Sequence, residues 1–162
     1  MSIDRMIRGL LVLAAVLPAI SFAQDFKNYR NTTLDTVIEE WKGRTKGLGQ
    51  GISLSPPAKI KFVATMSGPP VSCSDAALRI VVRMIDLEDQ LKDVKINNCL
   101  SLATRKGRVV TAHVQDVLVP GLNSDAKVGG PIEIWADVLA YNVAQKRSDD
   151  TLIMLINRFE PQ

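Results

Sequence analysis

The sequence predicts an α+β domain: a curled, mainly antiparallel five-stranded sheet or small barrel, with an N-terminal amphipathic helix and a second helix tethered by one disulfide. Three observations carry this. Apolar residues recur at helical spacing in two stretches, they alternate with period two in others, and the turns between the last four alternating stretches are too short for parallel crossovers.

The first residues set the compartment. "MSIDRMIRG" carries Arg5 and Arg8, the apolar run Leu10–Ile20 follows, and Ser21-Phe22-Ala23 closes it with small residues. A positive segment, a short apolar core and an A-x-A-like end form a secretory signal, so residues 1–23 are expected to be cleaved and Gln24 to begin the mature chain. The run is shorter than the roughly 20 residues a membrane-spanning helix needs. An uncleaved N-terminal anchor is the competing reading. A periplasmic or secreted protein with no membrane span in its mature chain is the expectation.

Taking Asp4, Arg5 and Arg8 from the formal charge of +3 leaves +2. The signs interleave along the rest of the chain, without the basic stripe of a nucleic-acid binder, so no nucleic-acid partner is expected.

Residues 24–57 divide into a helix and a linker. In "TTLDTVIEEWK" the residues Leu34, Val37, Ile38 and Trp41 fall at i, i+3, i+4 and i+7, which makes one apolar stripe. "GRTKGLGQGISLSPP" follows, rich in Gly and closed by two prolines, and reads as a linker. Residues 58–162 then form the α+β domain.

That domain opens with "AKIKFVATM", where Ile60, Phe62, Ala64 and Met66 alternate with polar neighbours as in a strand with one buried face. Between Cys73 and Cys99 the helical period returns: Leu78, Val81, Val82 and Ile85 share a face opposite a charged stripe through Arg79, Arg83 and Asp86. The β-branched run Ile80-Val81-Val82 makes a buried strand the competing reading. Four further strands are expected over Ile96–Ala103, Val109–Leu118, Ile132–Tyr141 and Thr151–Phe159, with "TRKGR" as a tight turn and "PGLNSDAKVGGP" and "NVAQKRSDD" as longer connections. A barrel of the oligonucleotide/oligosaccharide-binding or SH3-like type fits the strand count, although strand–helix–four strands is not the usual order of either.

The chain has two cysteines, Cys73 and Cys99. In an exported protein they are expected to pair, closing a loop worth about 3–4 kcal/mol in the chain-entropy picture. A redox site would prefer close C-x-x-C spacing, and a metal site would need further ligands where the chain has one histidine, His113. A structural disulfide is therefore expected, with no metal and no cofactor. His113 alternates with Val110, Ala112 and Val114 and reads as solvent-facing. No nucleophile elbow, phosphate loop or H-E-x-x-H motif is present, and no catalytic residue is assigned.

One candidate surface remains. In "IEIWADVLAYN" the set Ile132, Ile134, Ala136, Val138 and Ala140 makes a core stripe, which turns Glu133, Trp135, Asp137, Leu139 and Tyr141 to the other side. Two aromatics with carboxylates between them suit a binding face, and His113 and Gln115 on the neighbouring strand could border it. The competing reading is that one of the helices covers this face. The function expected is an exported non-catalytic binding protein whose partner is another protein or a cell-envelope polymer. The rivals are an inhibitor or immunity-type protein acting through its loops, with Arg105, Lys106 and Arg108 as contacts, and an unrecognised hydrolase.

Overall fold

The computed structural model describes residues 26–162. The signal-peptide reading of residues 1–23 lies outside the described residues.

Thr33 accepts a hydrogen bond from the Thr36 N–H and so starts α1, Leu34–Arg44, with Asp35 in its first turn and Lys42 and Arg44 in its last. Its stripe Leu34, Val37, Ile38 and Trp41 is buried. Just before it, β1 (Arg30–Asn31) runs parallel to Ile60-Lys61 of β2 (Gly51–Met66). The helix thereby lies against the sheet.

β2 begins at Gly51, so half of the segment expected as linker is strand. Gly51–Leu54 pair with Ala140–Val143 of β6 (Pro131–Val143), and pairing resumes at Ala58 opposite Val138. Ser55, Pro56 and Pro57 thus face the single residue Leu139. Proline lacks the N–H that a ladder needs, so the strand bulges there. Gly and Pro lowered the local propensity, and pairing with β6 overrode it.

The remaining strands are β3 (Val71–Ser72), β4 (Asn98–Ala103), β5 (Val109–Val114) and β7 (Thr151–Pro161). The sheet has seven strands rather than five, in the order β1-β2-β6-β7-β5-β4-β3, and β2 also pairs with β4 through Thr65–Ala103 and Met66–Leu102. That last pairing joins β2-β6-β7-β5-β4 into a closed circuit of five strands. β5 and β7 are parallel neighbours; the other four pairings of the circuit are antiparallel. The interior holds Ile60, Phe62, Leu100, Leu102, Ala112, Val114, Ile134, Val138, Met154 and Ile156, with the α1 stripe packed against them. α4 (Val119–Asp125), in a segment expected to be a loop, adds Leu122 to the same core. Its Pro120 sits in the first turn, where a missing N–H costs nothing. At Gly121 a Cβ would come within 3.1 Å of the Phe159 ring, so glycine permits this close approach.

The helix expected between the cysteines is two helices. α2 (Ala76–Met84) stops at Asp86, which has a φ of 57°; the Asp86 N–H donates to Arg83 O and the Leu87 N–H to Val82 O. This is a Schellman termination, with Asp filling the left-handed position more often taken by glycine. α3 (Glu88–Leu91) follows. Arg79 ties the two together: it pairs with Asp75 at 2.7 Å and donates to the carbonyls of Leu91 and Val94, each at 3.2 Å. Leu78, Val81 and Val82 pack on Leu139, Ile153 and Leu155 in a second, smaller core outside the barrel.

Cys73 and Cys99 are bonded, with Cα atoms 5.7 Å apart. The bond closes the strand β4 onto the entry to α2, so the helical insertion is fixed to the barrel at both of its ends.

Candidate binding cleft

The side chains expected to share one outer face of β6 do not. Leu139 stands opposite no residue of β7, because Val138 pairs with Met154 and Ala140 with Ile153. One extra residue in a strand reverses the alternation beyond it. Tyr141 therefore turns to the barrel side, 1% exposed, and stacks on Trp41 of α1 at 5.9 Å between ring centroids. Its hydroxyl donates to Asp150 at 3.3 Å, and burial, with the Asp150 carboxylate adding to it, pushes its pKa up to about 12.

Trp135 stays on the outer side and is covered there: it is 5% exposed. The Lys61 ammonium lies 4.6 Å and the Arg158 guanidinium 4.7 Å from its ring centroid, and the Phe26 ring meets it edge-on at 6.2 Å. Lys61 and Arg158 are its direct cross-strand partners on β2 and β7. Glu133 pairs with the same Lys61 at 3.0 Å. The cover is made by these two cross-strand cations and by Phe26, from the segment ahead of β1.

Asp137 and Gln115 meet in one network. Tyr29 donates from its hydroxyl to Asp137 at 3.1 Å, Asn157 donates to the Tyr29 oxygen at 3.0 Å, and Gln115 donates to the Asn157 oxygen at 2.8 Å. Asp137, Asn157 and Gln115 line a cleft of about 460 Å³ whose other walls are Phe26, Leu87, Gln90, Leu91, Val94, Val117, Leu139 and Leu155. One wall comes from α3 and the segment after it, the other from the outer face of β6 and β7, and Val117 stands at the side with 78% of its surface exposed. A cleft of this size, mostly apolar with a few converging polar groups, suits an apolar group that ends in a hydrogen-bonding function.

Burial raises the Asp137 pKa above the ordinary carboxylate value, against the opposing hydrogen bonds of Asn157 and Tyr29 and the charge of Lys59. Burial and the Asp137 charge likewise raise the Tyr29 pKa, so the phenol keeps its proton and donates it. The folded chain then holds a proton on Asp137 more tightly than the unfolded chain does. Stability contributed this way falls as pH rises from the unfolded value near about 3.9 through the raised folded value. Asp137→Asn keeps an acceptor for Tyr29 and carries no charge. In urea denaturation between roughly pH 4 and pH 8 the variant is expected to gain on the wild type as pH rises. A difference independent of pH would mean that the carboxylate is not desolvated.

His113 is half-buried on β5, directly across from Cys99, rather than solvent-facing as expected. Its Nδ1 lies 3.6 Å from the Cys99 sulfur and 3.9 Å from that of Cys73. Burial lowers its pKa, partly offset by Asp75. The "TRKGR" turn is bound to α1: Lys106 N–H donates to Asp35 at 3.2 Å and Arg108 pairs with Glu39 at 2.7 Å, while the Arg105 and Lys106 side chains are exposed.

Of the residues singled out in the sequence, Asp137 and Gln115 belong to the cleft and Trp135 adjoins it through Phe26. Tyr141, Glu133 and the basic turn lie elsewhere. Tyr29, Asn157 and the apolar wall from Leu87 to Val94 were missed, because they come together only through the strand order. No family model, curated protein or solved structure matches this chain. Among the described residues no helix is long and apolar enough to cross a membrane.

Proposed function

We propose that this is an exported, non-catalytic binding protein of the cell envelope that takes an apolar group of a macromolecular partner, another protein or an envelope polymer, into the cleft between its helical insertion and its barrel. The observation that carries the proposal is the cleft itself: apolar walls around the Gln115–Asn157–Tyr29–Asp137 chain of hydrogen bonds. The barrel's connectivity supports one part of it, the use of the helical insertion. Numbered within the closed circuit alone, the strands follow each other as first, second, third, fifth and fourth, with the parallel pair between third and fifth. This is a Greek-key order of the oligonucleotide/oligosaccharide-binding kind, in which ligands meet the second and third strands and the loop between the first and second. Here that loop is the α2–α3 insertion, which forms one wall of the cleft, whereas the facing wall is the fourth and fifth strands, β6 and β7, rather than the second and third. Fold analogy sets only where to look; the cleft chemistry makes the argument. The disulfide agrees with an oxidising compartment.

The test is partner capture by the mature protein, comparing Val117→Arg with the double variant Arg105→Ala/Lys106→Ala. Val117→Arg places a charge at the cleft from an exposed position, so stability is expected to change by no more than about 0.5 kcal/mol. Capture is expected to fall at least tenfold, while the turn variant captures normally. Loss in the turn variant with full capture by Val117→Arg would reverse the assignment and favour a loop-acting inhibitor.

A further inference from the structure

The disulfide and His113 form a cluster that the cleft does not use. The antiparallel register of β4 and β5 sets Cys99 opposite His113, and the bond brings Cys73 to the same point. Their ligand atoms all lie within 4.8 Å of one another. A tetrahedral zinc centre has Zn–S bonds of about 2.3 Å and Zn–N bonds of about 2.0–2.1 Å, which set N···S edges of about 3.6 Å and an S···S edge of about 3.8 Å. The Cys99–His113 distance of 3.6 Å matches that N···S edge, and the Cys73–His113 distance of 3.9 Å is slightly longer than it. Only the S···S edge is absent, and cleavage of the sulfur–sulfur bond opens it.

We propose that the reduced protein binds one zinc-type divalent cation through Cys73 Sγ, Cys99 Sγ and His113 Nδ1, so that the same two sulfurs serve as a staple when oxidised and as metal ligands when reduced. The fourth position of the tetrahedron is left to water. The reductant is a dithiol. One of its thiolates attacks Cys73, the more exposed of the two residues, forming a mixed disulfide and releasing Cys99; its second thiol resolves that bond and leaves as a disulfide, having given two electrons to the protein. Each cysteine ends as a thiol. The cation then displaces both thiol protons to solvent and accepts the Nδ1 lone pair of neutral His113. The strand pairing holds two ligands on adjacent strands of the barrel, so little of the site has to be assembled on binding.

Cobalt(II) is the probe, because thiolate ligation gives it a charge-transfer absorption. Reduced wild type, freed of reductant, is expected to bind one cobalt per chain with that absorption and to exchange it for zinc, whereas oxidised protein binds none. Reduced His113→Ala is expected to bind at least tenfold more weakly with the circular dichroism of the wild type, and His113→Cys to restore binding. Should reduction unfold the chain, added zinc is expected to restore its folded spectrum, and failure to do so overturns the proposal. So does the absence of a thiolate band, or equal affinity with and without His113.

Discussion

Trp135→Ala is expected to destabilise the protein by about 3–5 kcal/mol, the cost of emptying a buried aromatic site. The ring is 5% exposed between Lys61 and Arg158, with Phe26 across its edge. Its removal takes away the apolar contact and also the ring faces over which two cations lie, each such interaction being worth about 0.5–2 kcal/mol. The two cations keep their carboxylate partners, Glu133 for Lys61 and Glu160 for Arg158, so the variant is expected to fold. Urea denaturation followed by circular dichroism measures the loss. Fluorescence then reports Trp41 alone, because the chain has two tryptophans, and Trp41 lies in the core against Tyr141. A loss under about 1 kcal/mol would show Trp135 to be a surface residue and return it to the set of partner contacts.

The exposed aromatic face expected from alternation is lost in two ways: Trp135 is covered where it stands by Phe26, Lys61 and Arg158, and one extra residue turns Tyr141 away. Local periodicity was a sound guide wherever a strand ran without interruption: Ile60, Phe62, Ala64 and Met66 are buried in sequence order, as are Val110, Ala112 and Val114. The α1 stripe was legible for the same reason. Alternation, however, carries no record of a bulge, and the extra residue at Leu139 moved Tyr141 across the sheet. The Pro56-Pro57 pair was visible, but it read as the end of a linker because its bulge partner lies more than eighty residues away. The parallel β5–β7 pairing and the β2–β4 closure are equally non-local, and they are what turn a curled sheet into a closed circuit.

The site was legible by residue type and illegible by assembly. Asp137 and Gln115 attracted attention as polar groups on strands, yet the network that joins them passes through Tyr29 and Asn157, from opposite ends of the described chain. His113 shows the same limit. A single histidine gave no reason to expect ligand chemistry until the register of β4 and β5 set it against Cys99. The helix break at Asp86, which creates α3 and with it a wall of the cleft, depends on a non-glycine residue in the left-handed region. Helical spacing alone continues straight through that position.

Loss of the disulfide is the other large effect. Cys73 and Cys99 are 26 positions apart, and opening a loop of that size is expected to cost about 3.5 kcal/mol in the chain-entropy account. The double variant Cys73→Ser/Cys99→Ser is expected to show that loss in urea denaturation without reductant, while keeping its fold at moderate temperature. The insertion's apolar attachment to the barrel survives the change, with Leu78, Val81 and Val82 packed on Leu139, Ile153 and Leu155, and Arg79 still holds α2 to α3 through Asp75 and the carbonyls of Leu91 and Val94. The barrel interior contains neither sulfur, so its core strands are expected to retain their protection relative to one another. The insertion is the part released, and amide hydrogen exchange should quicken over residues 74–98 more than over β6 and β7. Leu87, Gln90, Leu91 and Val94 belong to that insertion, so under the proposed function the same variant is expected to capture its partner more weakly even where the barrel is fully folded. Exchange that rises equally in every strand would mean that insertion and barrel unfold as one unit. A stability loss under about 1 kcal/mol would mean that the bond does not constrain the chain.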